Sequence, residues 1–348
     1  MPHSLAPLVP ALLAWYRATK RPLPWRTDPS PYRVWVSEIM LQQTRIEAVL
    51  PRFEAFFAAF PTIGDLAAAP EDRLLKLWEG LGYYSRARNL QKTARLLTEQ
   101  YDGRLPETAA ELETLPGIGP YVAGAVASIA FSQPVAAVDG NVLRVLARLT
   151  GDARDIGTPA AKRYFTELAG QLLPADAPGA FNQALMELGE RVCLPNGAPC
   201  RGECPCQEGC TAQKTGTQLL LPVRSPKKPR RREKLDVFVF ACQGRVALEK
   251  RPENGLLSGL WQFPNAPAGT RGADAWALSV IQTAPLPPTR HIFTHIQWEM
   301  HNVFVTVARP DGPFQWVTPA QLQARYALPS AFRDCWKAAQ KKLQQEET

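Results

Sequence analysis

No apolar run in this 348-residue chain approaches the ~20 residues that a bilayer-spanning helix needs. The apolar stretch from Val9 to Tyr16 has no positive segment before it and no cleavage site after it. It is read as part of an amphipathic helix and not as an export signal. No internal repeat is found, which excludes repeat-array architectures. Acidic side chains are in deficit, 32 Asp and Glu against 40 Lys and Arg, for a formal net charge of +8. That balance favours an anionic partner, nucleic acid or a membrane surface, without choosing between them. The 45% apolar and 21% charged content is that of a soluble globular protein. At roughly 150 residues per domain, the length fits two domains.

What is present begins with cysteine. Five of the seven cysteines fall between Cys193 and Cys210, while Cys242 and Cys335 stand alone. An odd count, mostly in one cluster and without an export signal, points to a metal or cluster site in a reducing compartment. Cys193, Cys200, Cys204 and Cys210 are separated by six, three and five residues. Four thiolates this close can surround one centre, either a tetrahedral zinc or an iron–sulfur cluster. Cys206 is a fifth thiol, and spacing alone does not say which four bind.

Residues 1 to about 215 read as mostly helical, with helices expected at 34–50, 51–59, 70–79, 84–101, 107–114, 120–131, 139–150, 159–172 and 178–192. Within them, Leu115-Pro-Gly-Ile-Gly119 precedes a small-residue apolar helix. Gly117 and Gly119 let the backbone approach a partner and leave the first helix N–H groups pointing outward, which suits a phosphate. Asp139 stands at the start of the next helix, where an N-cap is the plain reading. Glu38 sits in an otherwise apolar helical turn, with Gln42 four residues later on the same face. Cutting a glycosidic bond needs an acid on the leaving group and a carboxylate near the oxocarbenium-like centre. Desolvation raises the pKa of a carboxyl on an apolar helix, and a polar turn keeps one ionised. Taken singly, Glu38 is a surface or salt-bridged residue and Asp139 a cap. Beside a phosphate-binding hairpin and a cysteine cluster, they read as a catalytic pair.

The stretch 224–234 carries seven basic residues, one acidic residue and two prolines, and reads as a solvated, extended linker. Three divisions follow: a catalytic domain at 1–217 with the cysteine loop 193–210, a linker at 218–234, and a second domain of α+β type at 235–348. In the last, strands are expected at 235–241, 245–251 and 302–307, with helices at 272–283 and 330–345.

Several long motifs occur in a known order. They are Trp35-Val-Ser-Glu38-Ile-Met-Leu-Gln42-Gln43-Thr44, Gly80-Leu-Gly-Tyr-Tyr-Ser-Arg-Ala-Arg-Asn89, the 115–119 hairpin, Val138-Asp-Gly-Asn141 and the cysteine cluster. In these the chain resembles the MutY-type adenine DNA glycosylases of the helix–hairpin–helix superfamily that also holds endonuclease III. The resemblance implies a mainly α glycosylase domain with an iron–sulfur cluster, followed by a Nudix-like α+β domain. It implies that Glu38 protonates adenine, that Asp139 stabilises the oxocarbenium ion and that Asn141 orders that site. Tyr121 takes the place where strand-cutting relatives carry a lysine nucleophile, so base removal without a strong lyase step is expected. Trp25, Arg26, Leu41 and Gln183 match residues around the extruded adenine. Gln43, Thr44, Leu81 and Tyr83 match the wedge that enters the duplex, and Gly117 and Gly119 hold its backbone.

The family's cluster is a 4Fe-4S centre with middle interval two, where this chain has three. Because the last interval is kept, Cys193, Cys200, Cys204 and Cys210 are the implied ligands. Gly255-Leu-Leu-Ser-Gly-Leu-Trp-Gln-Phe-Pro264 resembles the family's Nudix-like domain, but no acidic Nudix box follows it. That domain is expected to recognise and not to hydrolyse. Phe293, Thr294 and His295 match the family's loop that reads 8-oxoguanine. The expected partner is double-stranded DNA holding 8-oxoguanine:adenine or guanine:adenine mispairs, met by a monomer in the bacterial cytosol or nucleoid with no membrane role. Rival readings are an endonuclease III-like pyrimidine glycosylase with lyase activity, a non-catalytic DNA-binding iron–sulfur or zinc protein, and a Nudix-type nucleotide hydrolase.

Overall fold

The computed structural model describes residues 5–197, 200, 202–226 and 229–346. Lys227 and Lys228 of the basic stretch lie outside them. Helices run at α1 Val9–Thr19, α2 Pro24–Thr27, α3 Pro31–Leu41, α4 Ile46–Ala59, α5 Ile63–Ala68, α6 Glu71–Leu77 and α7 Ser85–Gln100. They continue at α8 Ala109–Leu112, α9 Pro120–Phe131, α10 Gly140–Thr150, α11 Pro159–Leu172, α12 Pro178–Arg191 and α13 Thr211–Thr215. Strands follow at β1 Arg231–Cys242, β2 Arg245–Lys250, β3 Trp261–Gln262, β4 Asn265–Pro267, β5 Val280–Ile292, β6 Ile296–Val307 and β7 Gln315–Val317, before α14 Pro319–Arg325 and α15 Arg333–Glu346.

The chain divides into two compact units. Described residues of 1–49, 57–68 and 89–226 form the first; those of 50–56, 69–88 and 227–348 form the second. The first unit's core brings α10 and α12 together through Val142, Leu146, Phe165, Phe181, Leu185 and Leu188. The second is a mixed sheet of order β3-β2-β1-β6-β5, with β4 on β1 and β7 on β2. Along β1, Val237, Val239 and Ala241 face a core that includes Phe332 and Leu343, while Phe238, Phe240 and Cys242 face another with Trp276 and Phe314 packed on it. Burial of both faces explains why this strand is an unbroken apolar run instead of an alternating one.

Four expectations are corrected. The helix expected over 34–50 breaks at 42–45, where Gln43 takes φ +56, and α4 then carries Pro51 inside it. The helix expected at 107–114 is one turn, Ala109–Leu112. The helix expected at 272–283 is a short 3-10 turn that ends at Ala277, φ +55, before β5 begins. Pro285, Pro287 and Pro288 cannot continue a helix, and an edge strand tolerates them. Finally, the basic linker is shorter than its composition suggests. β1 already starts at Arg231, paired in parallel with Ile296 of β6. Upstream, Arg148 Nε donates to Leu221 O at 2.9 Å, Ile156 N to Val223 O at 3.1 Å, and Ser225 Oγ to Asp155 Oδ2 at 2.5 Å. No helix among the described residues is long and apolar enough to cross a membrane.

Candidate active site

Helix α3 starts cleanly: Pro31 sits in its first turn and Ser30 Oγ accepts from Arg33 N. Its buried face, Val34 to Met40, carries Glu38 inward. That carboxyl is 6% exposed, and burial pushes its pKa up to about 7, against the opposing pull of a hydrogen bond from Tyr121. Tyr121 OH donates to Glu38 Oε2 at 2.6 Å from the first turn of α9. The neighbouring backbones are close here. A Cβ on Gly124 would stand 2.6 Å from Ala136 O, and one on Gly179 2.7 Å from Ser128 O. Burial also raises the Tyr121 phenol well above its ordinary range, and the Glu38 charge adds to the shift.

Asp139 is the N-cap of α10, as its position predicts, and its Oδ1 accepts from Val142 N at 2.7 Å. Asn141 Nδ2 donates to the other oxygen at 3.0 Å. Burial raises the Asp139 carboxyl, and the backbone amides of Val142 and Asn141 pull it back only in part. The polar turn therefore does not hold this acid at an ordinary pKa, because packing outweighs the cap. Asn141 is itself fixed: Arg144 donates to Asn141 Oδ1 at 3.0 Å, to Gly189 O at 2.7 Å and to Cys193 O at 2.8 Å.

Glu38, Tyr121, Asp139 and Asn141 share one open cavity of about 740 Å³ with Trp25, Arg26, Leu41, Gln183, Gln43 and Thr44. Ten residues singled out from sequence are thus brought together. Gly117 and Gly119 lie apart in the exposed α8–α9 turn, Gly119 capping α9 without a side-chain bond. Only glycine suits position 117, where φ is +78 and a Cβ would fall 2.6 Å from Asn89 Cβ. Leu81 and Tyr83 belong to the second unit, as do Phe293, Thr294 and His295 in the β5–β6 turn.

Cys193, Cys200, Cys204 and Cys210 line one small cavity; Cys206 does not line it, but is buried beside it and hydrogen-bonded to Cys204. Arg148, also in that wall and 2% exposed, donates to Cys193 Sγ at 3.3 Å. Among the described residues, no three His, Cys, Asp or Glu side chains converge tightly enough to hold a single metal ion.

Comparison with known proteins decides what this scaffold is. The family described as "HhH-GPD superfamily base excision DNA repair protein" matches residues 36–171, and "NUDIX domain" matches 236–338. An adenine DNA glycosylase of Rattus norvegicus is 38% identical, over 82% of this chain and 68% of its own. One of Schizosaccharomyces pombe is 32% identical, over 90% of this chain and 85% of its own. The chain belongs to the adenine DNA glycosylase family. Among solved structures, a thermostable thymine-DNA glycosylase is similar at TM-score 0.54 and 27% identity, covering 61% of this chain and 97% of that one. An endonuclease III–DNA covalent intermediate matches at TM-score 0.54 and 24% identity, over 62% of this chain and 98% of that one, which speaks for the fold alone. A glycosylase, then, with an endonuclease III-like helical part and a Nudix-like sheet.

Sequence reasoning missed the groups that hold this glycosylase's cavity in place. Glu187 on α12 is fully buried and accepts from Arg21 at 2.7 Å through both oxygens and from Arg26 at 2.8 Å. Burial alone would raise its carboxyl, but the Arg21 and Arg26 bonds hold it below the usual range. Asn182 is buried and fully used, donating to Ser128 Oγ and Val135 O at 2.8 Å and accepting from Ala137 N at 3.0 Å. It fixes the extended segment that delivers Asp139. One signal was available: Asn182, Gln183, Glu187 and Glu190 repeat at helical spacing on α12, polar positions within an apolar pattern.

Proposed function

We propose that this glycosylase hydrolyses the N-glycosidic bond of adenine paired with 8-oxoguanine, and of adenine paired with guanine less well, in double-stranded DNA. The supporting observation is the buried Glu38 carboxyl, bonded to a tyrosine and sharing an open cavity with Asp139. The adenine leaves the stack and enters the cavity beside Trp25, Arg26, Leu41 and Gln183. Tyr121 occupies Oε2 of Glu38, which leaves Oε1 to carry the proton toward the base. Protonated adenine departs with the electron pair of its bond to the sugar. Asp139 faces the positive charge left on the sugar, and its two donors fix the orientation of its oxygens. Water adds, a proton is released, and an abasic site remains. With a phenol at Tyr121 no amine is available there for a Schiff base, so strand cleavage is not expected.

The hairpin amides at Gly117 and Gly119 suit a DNA phosphate, a contact that positions without reading sequence. Gln43, Thr44, Leu81 and Tyr83 are the residues expected to enter the duplex. Phe293 packs on Trp298 at 4.9 Å and on His291 at 4.6 Å, leaving Thr294 and His295 exposed to read 8-oxoguanine. Four thiols around one cavity, beside a buried guanidinium, fit an anionic 4Fe-4S cluster held by Cys193, Cys200, Cys204 and Cys210. Such a cluster, when bound, ties the 193–210 loop together.

A single-turnover assay on 8-oxoguanine:adenine duplex tests the reading. Glu38→Gln should lose about 10²–10⁴ in rate, the typical scale of general acid catalysis, while still binding the duplex. Adenine release at the parent rate would refute the assignment.

A further inference from the structure

Within the second unit, a short helix is clasped at its C-terminal end. Lys76, one residue before the end of α6, sends Nζ to Glu79 Oε2 at 2.7 Å and to Tyr326 O at 3.0 Å, just past α14. A weaker contact reaches Leu322 O at 3.4 Å. A cation at a helix C-terminus satisfies carbonyls that the helix leaves open. Glu79 completes the clasp by accepting Leu328 N at 3.0 Å through its other oxygen. Both side chains are only about one-fifth exposed, so neither bond is a fully solvated one.

The turn that follows is stiff. Gly80, Gly82 and Tyr83 all take positive φ, at +95, +70 and +46. Trp78, fully buried, donates from Nε1 to Gly82 O at 3.1 Å. Arg86 caps the turn by donating to Leu81 O at 2.9 Å and Gly82 O at 3.1 Å. Its guanidinium stands 5.4 Å from the Trp78 ring and 5.7 Å from the Tyr83 ring. At the tip, Tyr83 OH and Thr294 Oγ1 share a hydrogen bond of 2.7 Å. A displacement of α6 at the clasp is therefore carried through a braced turn to the residue that touches Thr294.

We propose that Lys76 and Glu79 are positioning residues for reading the base opposite adenine: they set where Tyr83 meets Thr294. The inference rests on the proposed role of the 293–295 loop in recognising 8-oxoguanine. Neither clasp residue lines the catalytic cavity. Loosening the clasp should weaken preference for the partner base and leave the chemical step alone.

The test uses the full protein on two duplexes, adenine opposite 8-oxoguanine and adenine opposite guanine, reading affinity and single-turnover rate on each. Lys76→Ala should lower the affinity preference for the 8-oxoguanine duplex by ~10-fold, the scale of one lost charge-assisted hydrogen bond. Its rate on the guanine duplex should stay at the parent value, and Lys76→Arg should restore most of the preference. Tyr83→Phe should lose a similar amount, and the Lys76→Ala, Tyr83→Phe pair should lose no more than either alone. If Lys76→Ala does not fold, Glu79→Gln, which keeps an oxygen for Leu328 N, should show the same loss in smaller measure. Parent-like preference in Lys76→Ala, or in Glu79→Gln when that is the folded variant, overturns the proposal, and so do additive losses in the pair. Thr294→Ala separates the two ideas. If it too keeps the parent preference, the loop is not the reader; if it loses preference while the clasp variants do not, only the clasp is wrong.

Discussion

In the catalytic cavity, side chains are held by other buried or half-buried side chains: Glu38 by Tyr121, Asp139 by Asn141, Asn141 by Arg144. In the 293–295 loop the backbone is held instead. Arg230 Nε donates to Phe293 O at 3.0 Å, Arg231 N to His295 O at 3.0 Å, and Phe293 N to Ile296 O at 2.8 Å. The two arrangements suit two tasks. A carboxyl that stays protonated near neutral pH needs desolvation, which packed neighbours supply. A loop proposed to read a base needs exposed polar tips on a fixed frame, and here one tip, Thr294, is steadied by Tyr83. Stability cost should therefore concentrate in the cavity, and specificity should concentrate in the loop.

Three experiments can break that contrast. The largest effect on stability is expected from Asn182→Ala, which strands Ala137 N in the core and takes the side-chain donor from Val135 O and Ser128 Oγ. A loss of about 3 kcal/mol in denaturant unfolding is expected, since buried unpaired groups cost ~1–3 kcal/mol each. A loss below about 1 kcal/mol would mean the segment before Asp139 is held by something else. Next comes pH. Glu38 is raised from 4.5 to about 7, so its protonated form is favoured by folding. The base-release rate should hold below pH 7 and fall as pH rises through it. In stability, Glu38 contributes fully below about pH 4.5 and loses that contribution as pH rises toward about 7. Glu38→Gln should accordingly be more stable than the parent at pH 8, by up to about 3 kcal/mol, with the gap closing in acid. Thermal scans at pH 4, 6 and 8 measure it; an unchanging gap would deny that Glu38 titrates there. The smallest effect should come from the loop. Thr294→Ala removes an exposed hydroxyl with its surface hydrogen bond to Tyr83 and should move unfolding by no more than ~1 kcal/mol. A larger loss would show that the loop, like the cavity, contributes to stability.

The same contrast marks what the sequence made legible. Glu38, Asp139 and the cluster of five cysteines stood out because chemistry restricts residue type and the motifs around them are local. The N-cap role of Asp139 was readable from its place before α10. The Glu187 and Asn182 networks were not, because Arg21 meets Glu187 across 166 positions and Asn182 meets Ser128 across 54. Local pattern also failed where backbone conformation changes abruptly. Nothing in Gln42-Gln43-Thr44 announces a left-handed residue, and the helix was carried past it. At 272–283, an apolar helical spacing competed with the prolines that follow, and the prolines prevailed.

Arg148 carries one further consequence. Its guanidinium donates to Leu221 O, Leu194 O and Pro195 O as well as to Cys193. One buried cation thus ties the cysteine loop to a segment that composition alone would assign to the tether. A fragment cut at Thr217 would lose the Leu221 carbonyl from this knot and the Val223 carbonyl that Ile156 uses. The helical half does not end where its last helix ends. The segment from Leu221 to Ser225 belongs with it, bonded to Arg148, Ile156 and Asp155.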